Sequence, residues 1–392
     1  MSQRRAIIGV VGAGTMGAGI AQLALEAGHE VVLNDVDEAA IERGRDRIRD
    51  GLTRRAARLD LDPDSIDDWV DGRLDGLRDA LTLDAIGAEA EVVIEAALED
   101  LELKRTVFRT LDAAASPDVV LATNTSALSV GAIAAATEHP ERVLGLHFFN
   151  PAPIMPLVEV VVPASTDPAV AKAAARLVES WGKTAVVCGD LPGFIVNRVN
   201  RPFTLEALAM LEAGEASVEA IDNAIRAEGF PMGPFELMDL IGIDVNLAAA
   251  RGIWEGFGRA ERFRPAPIQE RLVEEERLGR KTGRGFYLYG EATGARTVDP
   301  EFPAGDGALA PAETVERIRL AIAAEAYRAL ADEVATAADI DLAIRLGASH
   351  PEGPFEWVAA RGGESDFRLR LAAHGEIGPR FSPIGSGLQS SP

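Results

Sequence analysis

The sequence predicts an α/β domain with a doubly wound parallel sheet, followed by two tandem all-α domains. Up to residue 191, short apolar runs rich in β-branched residues alternate with helical patterns, which is typical of a parallel sheet covered by helices. From residue 192 onward strand patterns largely disappear, and one helical block of sequence occurs twice. We therefore expect domains at 1–191, 192–290 and 311–375, with a linker between the last two and a tail at 376–392.

Composition limits the classes of protein to consider. The chain has 392 residues, of which 47% are hydrophobic and 26% charged, as in soluble globular proteins of two or three domains. No segment approaches the roughly 20 apolar residues that span a bilayer. A net charge of −23 argues against nucleic acid or an anionic membrane as the partner, but permits a small anionic ligand. Cys188 is the single cysteine, so no intrachain disulfide forms, which fits a reducing cytoplasm.

A glycine-rich turn follows the first predicted strand, 6–11, and opens a helix. Such a turn lets the backbone approach a pyrophosphate at the helix N-terminus. The next strand, 30–34, ends at Asp35, where a carboxylate accepts hydrogen bonds from an adenosine ribose and repels a 2′-phosphate. The pattern therefore predicts a Rossmann-type site for NAD rather than NADP, whereas a simple surface turn does not explain Asp35. The candidate cofactor-binding residues of this unit are Gly12, Gly14, Thr15, Met16, Gly17 and Asp35.

Residues 39–77 predict a strongly charged helical hairpin that is inserted between strands. Seven of its eight arginines lie between residues 43 and 58, and acids predominate from residue 60 onward, which is typical of a solvated surface. One cluster, Arg54, Arg55 and Arg58, could alternatively contact phosphates, and we keep Arg54 and Arg58 as candidate substrate-binding residues.

Five further strands are predicted, at 90–96, 119–123, 143–148, 157–162 and 184–188. A helix that begins at Glu99 and carries Lys104 one turn later follows the first of them, and Asn124-Thr125-Ser126 ends the second. Ligands of open α/β sheets bind at the carboxyl ends of the parallel strands, so these polar residues are candidates for a site. For Ser126, a capping role for the next helix is the alternative.

One histidine and one carboxylate stand out in the apolar stretch 144–162. His147 and Glu159 lie in two strand-like runs that a turn with three prolines separates, and a bend there can bring the second run back beside the first. A carboxylate in a buried strand is costly unless it is paired, and His147 is the simplest partner. A buried pair of this kind is either a general base with its orienting group or a structural hydrogen bond.

The helical half of the chain contains an internal repeat. The segment around Phe235, Gly-Pro-Phe-Glu, recurs around Phe355, 120 positions later, and the segment around Asp222 recurs around Asp341 at an offset of 119. The same offset places Glu316 opposite Asn197, so the second copy lacks that asparagine. We interpret the second copy as a packing partner that buries a surface which a single-copy protein would bury by dimerising.

These motifs together resemble the L-3-hydroxyacyl-CoA dehydrogenases, including the bacterial 3-hydroxybutyryl-CoA dehydrogenases. The matching segments run in family order from about residue 6 to 289, and the later region resembles the second C-terminal unit of longer family members. They are VVGAGTMGAGIAQ, VVIEAALEDLELK, NTSALS, LHFFNPAPIMPLVEVV, PGFIVNR, GFPMGPFEL and GRKTGRGFY.

The resemblance implies a role for each matching residue. His147 is similar to the family's catalytic base and Glu159 to its orienting partner, while Ser126 and Asn197 match residues that bind the substrate oxygen and support the histidine. Asp35 matches the ribose carboxylate. The positions that match further NAD contacts of the family are Glu99, Lys104, Asn150 and Lys281. The family's CoA contacts in the helical hairpin do not transfer, because the hairpin sequence matches poorly.

The leading functional hypothesis is the reversible NAD-dependent oxidation of L-3-hydroxyacyl-CoA to 3-oxoacyl-CoA, a reaction of fatty acid metabolism and β-oxidation. A neutral imidazole at His147 accepts the hydroxyl proton, and an ionised Glu159 offsets the charge that develops. A dehydrogenase of a free hydroxy acid or sugar acid on the same scaffold is the alternative, and a non-catalytic NAD-binding structural protein is a third. No metal is expected, and the duplication permits a monomer as well as a homodimer.

Overall fold

The computed structural model describes residues 5–59, 61–290, 296–302 and 309–384. The predicted tail at 376–392 is thus described only to residue 384, and parts of the predicted linker, at 291–295 and 303–308, also lie outside the described residues. The chain divides into two compact units, Met1–Leu191 and Pro192–Pro392. No described helix has the length and apolar character needed to cross a bilayer.

The first unit is built on one eight-stranded sheet of order β3-β2-β1-β4-β5-β6-β7-β8. Its strands are β1 (Ile7–Val11), β2 (Glu30–Asn34), β3 (Leu77–Asp79), β4 (Val92–Glu95), β5 (Val120–Thr123), β6 (Val143–Phe148), β7 (Leu157–Val162) and β8 (Thr184–Gly189). The reversal of strand order at β1 and β4 is the switch point of a doubly wound sheet, so the predicted fold class is confirmed.

The sheet differs from the prediction at two strands. Strand β3 is not predicted, because its three residues, Leu-Arg-Asp, carry no strand pattern of their own. Strand β7 runs antiparallel to β6, whereas every other pair is parallel. The connection between β6 and β7 covers only residues 149–156, and a parallel crossover needs roughly a dozen residues or more. The short proline-rich turn therefore forces the chain to reverse.

Helices cover both faces of this sheet and enclose two apolar clusters, one around Ile8, Ile20 and Leu146 and the other around Val93, Phe108 and Leu121. They are α1 (Thr15–Glu26), α2 (Glu38–Ala56), α3 (Ile66–Leu74), α4 (Leu83–Glu89), α5 (Leu101–Ala114), α6 (Val130–Ala134) and α7 (Pro168–Ser180). The predicted hairpin at 39–77 corresponds to α2 and α3.

Apart from one short hairpin, the regular secondary structure in the described residues of the second unit is helical. Its helices are α8 (Val196–Val199), α9 (Arg201–Glu212), α10 (Val218–Ala227), α11 (Pro234–Ile241), α12 (Ile243–Gly256), α13 (Pro267–Glu274), α14 (Pro311–Ala331), α15 (Ala337–Gly347), α16 (Pro354–Ala359) and α17 (Gly363–Ala373). Strands β9 (Tyr287–Tyr289) and β10 (Arg296–Val298) pair antiparallel, so the expectation of an all-α region was wrong at this point. Among the described residues of both units, the short 3₁₀ helices are Pro63–Ser65, Pro140–Arg142, Glu261–Phe263, Arg280–Thr282 and Pro379–Phe381.

The internal repeat is reproduced in atomic detail. Asp222 accepts hydrogen bonds from the backbone N–H groups of residues 235 and 236, at 3.0 and 3.1 Å, and so satisfies the first turn of α11. Asp341 does the same at residues 355 and 356, at 2.8 and 3.1 Å, for α16. The backbone N–H groups in the first turn of a helix have no acceptor within the helix, and here each aspartate supplies one. In both copies the aspartate therefore caps the helix that the Gly-Pro-Phe-Glu segment begins.

The two copies pack on each other through reciprocal buried ion pairs. Arg198 of the first copy contacts Glu325 of the second at 2.8 Å, and Arg317 of the second contacts Glu206 of the first. The 119-residue offset relates Arg198 to Arg317 and Glu206 to Glu325. The pairing is therefore self-complementary, as at the interface of a two-fold symmetric dimer. This supports the interpretation of the second copy as a packing partner.

We predict that Glu206→Gln destabilises the second unit by roughly 3–5 kcal/mol, because it removes the buried acid that pairs with both Arg317 and Arg380 and leaves Arg317 with only the partly exposed Glu215. Urea denaturation followed by circular dichroism measures this loss. The control is Glu270→Gln, which breaks an exposed pair with Arg251 and costs about 1 kcal/mol or less. Equal effects of the two variants would contradict the importance of the reciprocal pairs.

Candidate active site

The glycine-rich turn has the geometry that a bound dinucleotide requires. Gly12 has a positive φ of 97°, and a Cβ on Gly17 would lie 1.7 Å from the Gly12 carbonyl oxygen, so both positions require glycine. A Cβ on Gly14 would meet no described atom within 4 Å, so the N-terminal end of α1 is open to a ligand there. The turn therefore suits a pyrophosphate placed against helix α1.

Asp35 lies beside this turn, at the carboxyl end of β2. Its Oδ2 accepts a hydrogen bond of 2.6 Å from the Ala13 N–H, and its Oδ1 accepts one of 2.7 Å from Val36. These bonds hold the carboxylate next to the first and second glycines. The residues present thus fit NAD, with a fixed negative charge where a ribose would lie.

Glu99 organises the loop that carries Ser126. The prediction that Glu99 lies in the first turn of a helix was wrong, because α5 begins at Leu101 with Asp100 as its cap. Glu99 Oε1 instead accepts hydrogen bonds from Thr125 Oγ1 at 2.6 Å and from the Ser126 backbone N–H at 2.9 Å. The loop after β5 is therefore tied to the loop after β4 at the carboxyl edge of the sheet.

Lys104 lies behind Glu99 and is almost completely buried. Its ammonium group contacts Glu95 Oε1 at 2.6 Å and Glu99 Oε2 at 3.4 Å. Glu95 is also fully buried and accepts a hydrogen bond of 2.6 Å from Thr123 Oγ1. The role of Glu95 is not predictable from the sequence, because an acid at the end of an apolar strand gives no sign of whether a cation neutralises it.

His147 and Glu159 face each other across the β6–β7 pair. They are direct partners in the antiparallel register, and His147 Nδ1 lies 2.6 Å from Glu159 Oε2. Glu159 is 0% and His147 5% exposed. The predicted pairing is confirmed. Because Nδ1–H donates to the carboxylate, Glu159 selects the tautomer in which Nε2 carries the lone pair. A buried imidazole held in this way is suited to accept a proton at Nε2.

A cavity of about 640 Å³ lies in the first unit and brings together residues that the sequence placed in separate groups. Thr15 and Asn150, predicted for the cofactor, line it together with Arg54 and Arg58, predicted for the substrate. Arg47 and Arg55 also line this cavity, and Asp50 is the acid among its lining residues. Its wall is therefore cationic, which suits a phosphorylated ligand.

Lys183, which no sequence pattern singles out, supports the loop that forms one wall of this cavity. Its ammonium group donates to the carbonyl oxygens of Ala152, Pro153 and Met155 at 2.8, 3.1 and 2.9 Å. Burial lowers the pKa of Lys183 to about 8. Lys183 lies in the connection between α7 and β8, and no local sequence pattern indicates this role. The role depends on three carbonyl groups that lie about 30 residues earlier in the chain.

Two predicted residues belong to the second unit. Asn197 lies in α8, and Lys281 lies in the 3₁₀ helix Arg280–Thr282, where its ammonium group contacts both carboxylate oxygens of Asp244 at 2.6 Å. Within the described ranges, no group of three or more His, Cys, Asp or Glu side chains is placed to hold a metal ion.

Comparison with known families gives consistent matches along the chain. The profile described as "3-hydroxyacyl-CoA dehydrogenase, NAD binding domain" matches residues 7–191. The profile described as "3-hydroxyacyl-CoA dehydrogenase, C-terminal domain" matches twice, at 193–289 and 314–369. The second match falls on the second copy of the internal repeat.

Individual relatives show the same similarity. A 3-hydroxyadipyl-CoA dehydrogenase of Escherichia coli is 46% identical over 281 residues, which are 71% of this chain and 58% of that protein. A 3-hydroxybutyryl-CoA dehydrogenase of Mycobacterium tuberculosis is 42% identical over 72% of this chain and 98% of its own length. A solved 3-hydroxybutyryl-CoA dehydrogenase of Escherichia coli K12 covers 97% of both chains, with a TM-score of 0.85 and 34% identity.

We predict that Lys104→Gln lowers the free energy of unfolding by roughly 3–5 kcal/mol, because Glu95 then stays buried without a cation. Thermal and urea denaturation measure the loss, and exposed Lys172→Gln is the control. The double variant Lys104→Met with Glu95→Gln should recover part of the stability. If Lys104→Gln has the same free energy of unfolding as the control variant, the buried pair of Lys104 and Glu95 is not required for stability.

Proposed function

The chain belongs to the family of 3-hydroxyacyl-CoA dehydrogenases, NAD-dependent oxidoreductases that act on the CH–OH group of 3-hydroxyacyl-CoA, and we propose that His147 and Glu159 form its acid–base pair. The substrate is then an L-3-hydroxyacyl-CoA and the product the 3-oxoacyl-CoA, in a reversible reaction. The observation that carries this proposal is the 2.6 Å contact between His147 Nδ1 and Glu159 Oε2 in a buried strand pair.

His147 performs the proton transfer in this proposal. In the oxidative direction, Nε2 accepts the proton of the 3-hydroxyl group, and in the reverse direction the imidazolium returns it. Glu159 keeps Nδ1 protonated and balances the positive charge of the imidazolium in a buried environment. NAD⁺ bound at the glycine-rich turn supplies the hydride acceptor. Ser126 and Asn197 donate hydrogen bonds to the substrate oxygen as it becomes a carbonyl.

The remaining predicted residues hold the two ligands. Asp35 accepts hydrogen bonds from the adenosine ribose, and the turn of Gly12, Gly14, Thr15, Met16 and Gly17 holds the pyrophosphate. Glu99 positions Ser126 through the loop contacts, and Lys104 holds Glu99. Asn150 and Lys281 are the other proposed cofactor contacts. Arg54 and Arg58 bind phosphate groups of CoA, which the cationic wall of the 640 Å³ cavity supports.

We also propose an oligomeric state and a cellular location for the protein. The second helical copy buries the surface of the first through reciprocal ion pairs, which supports a monomer, and a homodimer would use other faces. The single cysteine, Cys188, is buried and supports a cytoplasmic location. Relatives named for 3-hydroxyadipyl-CoA and for 3-hydroxybutyryl-CoA differ in the acyl group.

We predict that His147→Gln lowers kcat roughly 10²- to 10⁴-fold, because glutamine cannot take up the proton. Oxidation of 3-hydroxybutyryl-CoA and other acyl-CoA substrates is followed by NADH absorbance, and NAD binding by calorimetry should be retained. The control is His139→Gln, a half-exposed histidine beside Asp112. Full activity of His147→Gln would overturn its assignment as the base. Oxidation of free 3-hydroxybutyrate at a higher rate than its CoA thioester would favour a free-acid dehydrogenase.

We also predict that Asp35→Asn lowers the preference for NAD over NADP, as a ratio of kcat/KM values, by roughly tenfold or more. Asparagine keeps an acceptor for the Ala13 N–H but removes the charge that repels a 2′-phosphate. Asp37→Asn is the matched control, because Asp37 caps helix α2 through the Ala40 N–H. An unchanged cofactor ratio in Asp35→Asn would exclude Asp35 as the ribose-binding residue.

A further inference from the structure

Arg201 differs from all other buried arginines in the described residues, because it has no acidic partner. Six arginines are buried, and five of them contact a carboxylate within 4 Å. Those five are Arg142, Arg198, Arg277, Arg317 and Arg319. Arg201 is 6% exposed and makes no such contact with any described residue. Its guanidinium is therefore a buried charge that the described part of the protein does not neutralise.

The hydrogen bonds of Arg201 are also incomplete. Its Nη1 approaches only Asn246, with 3.5 Å to the carbonyl oxygen and 3.4 Å to Oδ1. Asn246 Oδ1 already accepts a stronger bond of 2.8 Å from Gln269 Nε2. No described atom accepts a hydrogen bond from Arg201 Nε. Burial without an acid lowers the pKa of Arg201 to about 10. The side chain thus keeps donors for a further acceptor.

The position of Arg201 connects it with the proposed substrate-binding residue Asn197. Asn197 lies in α8 and Arg201 begins α9, and the residue between the two helices, Asn200, has helical dihedral angles. Residues four apart on a helical path lie one turn apart on the same face, at a spacing of about 5–6 Å. A group bound at Asn197 and a group bound at Arg201 would therefore be about one helical turn apart.

The internal repeat shows that packing does not require an arginine here. The 119-residue offset places Leu320 opposite Arg201, and Leu320 is completely buried in α14. The same copy has Glu316 in place of Asn197. Arg198 and Glu206, which hold the two copies together, are retained in both as Arg317 and Glu325. The copy that lacks Asn197 thus also lacks this arginine, while the packing residues persist.

We propose that Arg201 binds a carboxylate at the far end of the acyl chain, so that the preferred substrate is a 3-hydroxy-dicarboxylyl-CoA. In 3-hydroxyadipyl-CoA the terminal carboxylate lies three carbons beyond the carbon that bears the hydroxyl group. That separation matches one helical turn, with the hydroxyl oxygen at Asn197 and the carboxylate at Arg201. This inference rests on the proposed function, because it uses Asn197 as the ligand of the substrate oxygen.

The chemistry of arginine supports this choice of ligand. A guanidinium binds a carboxylate with two parallel hydrogen bonds, and burial strengthens the pairing because water does not compete. An acyl chain that ends in a methyl group would leave the buried charge of Arg201 without a partner. A site with a buried polar group rejects such an analogue strongly. Arg201 would therefore both favour the dicarboxylyl chain and disfavour the apolar chain of equal length.

The test compares two substrates of equal chain length, 3-hydroxyadipyl-CoA and 3-hydroxyhexanoyl-CoA, by NADH absorbance with the full-length protein. We expect kcat/KM to be at least tenfold higher for the dicarboxylyl substrate. In Arg201→Leu, which installs the residue found at the equivalent position of the second copy, the ratio of the two kcat/KM values should fall at least tenfold. The control is Arg251→Leu, an exposed arginine of α12, which should leave the ratio at the wild-type value.

A binding measurement provides a readout that does not depend on turnover. Adipoyl-CoA, which lacks the hydroxyl group, should raise the melting temperature of the wild-type protein more than hexanoyl-CoA does. This difference should disappear in Arg201→Leu and persist in Arg251→Leu. Without ligand, Arg201→Leu should melt at or above the wild-type temperature, because it removes an unneutralised buried charge.

The outcomes separate the two proposals. If the wild-type protein oxidises 3-hydroxyhexanoyl-CoA as well as or better than 3-hydroxyadipyl-CoA, the role of Arg201 is overturned while the proposed function stands. If the ratio of the two kcat/KM values is unchanged in Arg201→Leu, the role of Arg201 is also overturned. The same holds if Arg201→Leu fails to fold, because Arg201 would then be required for packing. If the wild-type protein oxidises no acyl-CoA, the proposed function fails and the inference fails with it.

Discussion

The buried pair of His147 and Glu159 is the interaction around which the first unit is arranged. A carboxylate at the centre of a fully buried strand pair is tolerated only with a partner, and the antiparallel register supplies that partner directly opposite. The register depends in turn on the short turn at 149–156, which reverses the chain between β6 and β7. Lys183 donates hydrogen bonds to three carbonyl oxygens of this turn, so a lysine outside the His147–Glu159 pair helps to maintain the geometry of the turn.

The sequence predicted those features that depend on neighbours along the chain. The glycine-rich turn, Asp35 and seven of the eight strands of the large sheet have local patterns, and the spacing of His147 and Glu159 across a proline-rich turn was sufficient to predict their contact. The structure also confirms the order of the repeat and the packing of its two copies.

Features that depend on distant partners could not be predicted in this way. Strand β3 exists because it pairs with β2, and its own three residues resemble a loop. Lys104 and Arg201 lie in segments where a cation usually marks a solvated face, yet both are buried. What distinguishes them is the presence of Glu95 next to Lys104 and the lack of any described acid next to Arg201. Neither the contact of Lys104 with Glu95 nor the lack of an acid at Arg201 can be predicted from a local sequence pattern, because both depend on which residues pack together in the folded unit.

The reciprocal ion pairs between the helical copies have a consequence for how the protein responds to dilution. Two separate chains that share a two-fold interface dissociate as their concentration falls, since their association follows mass action. Here a tether joins the two halves, so each copy meets the other at an effective concentration that does not depend on how much protein is present. The interface can therefore persist at any expression level.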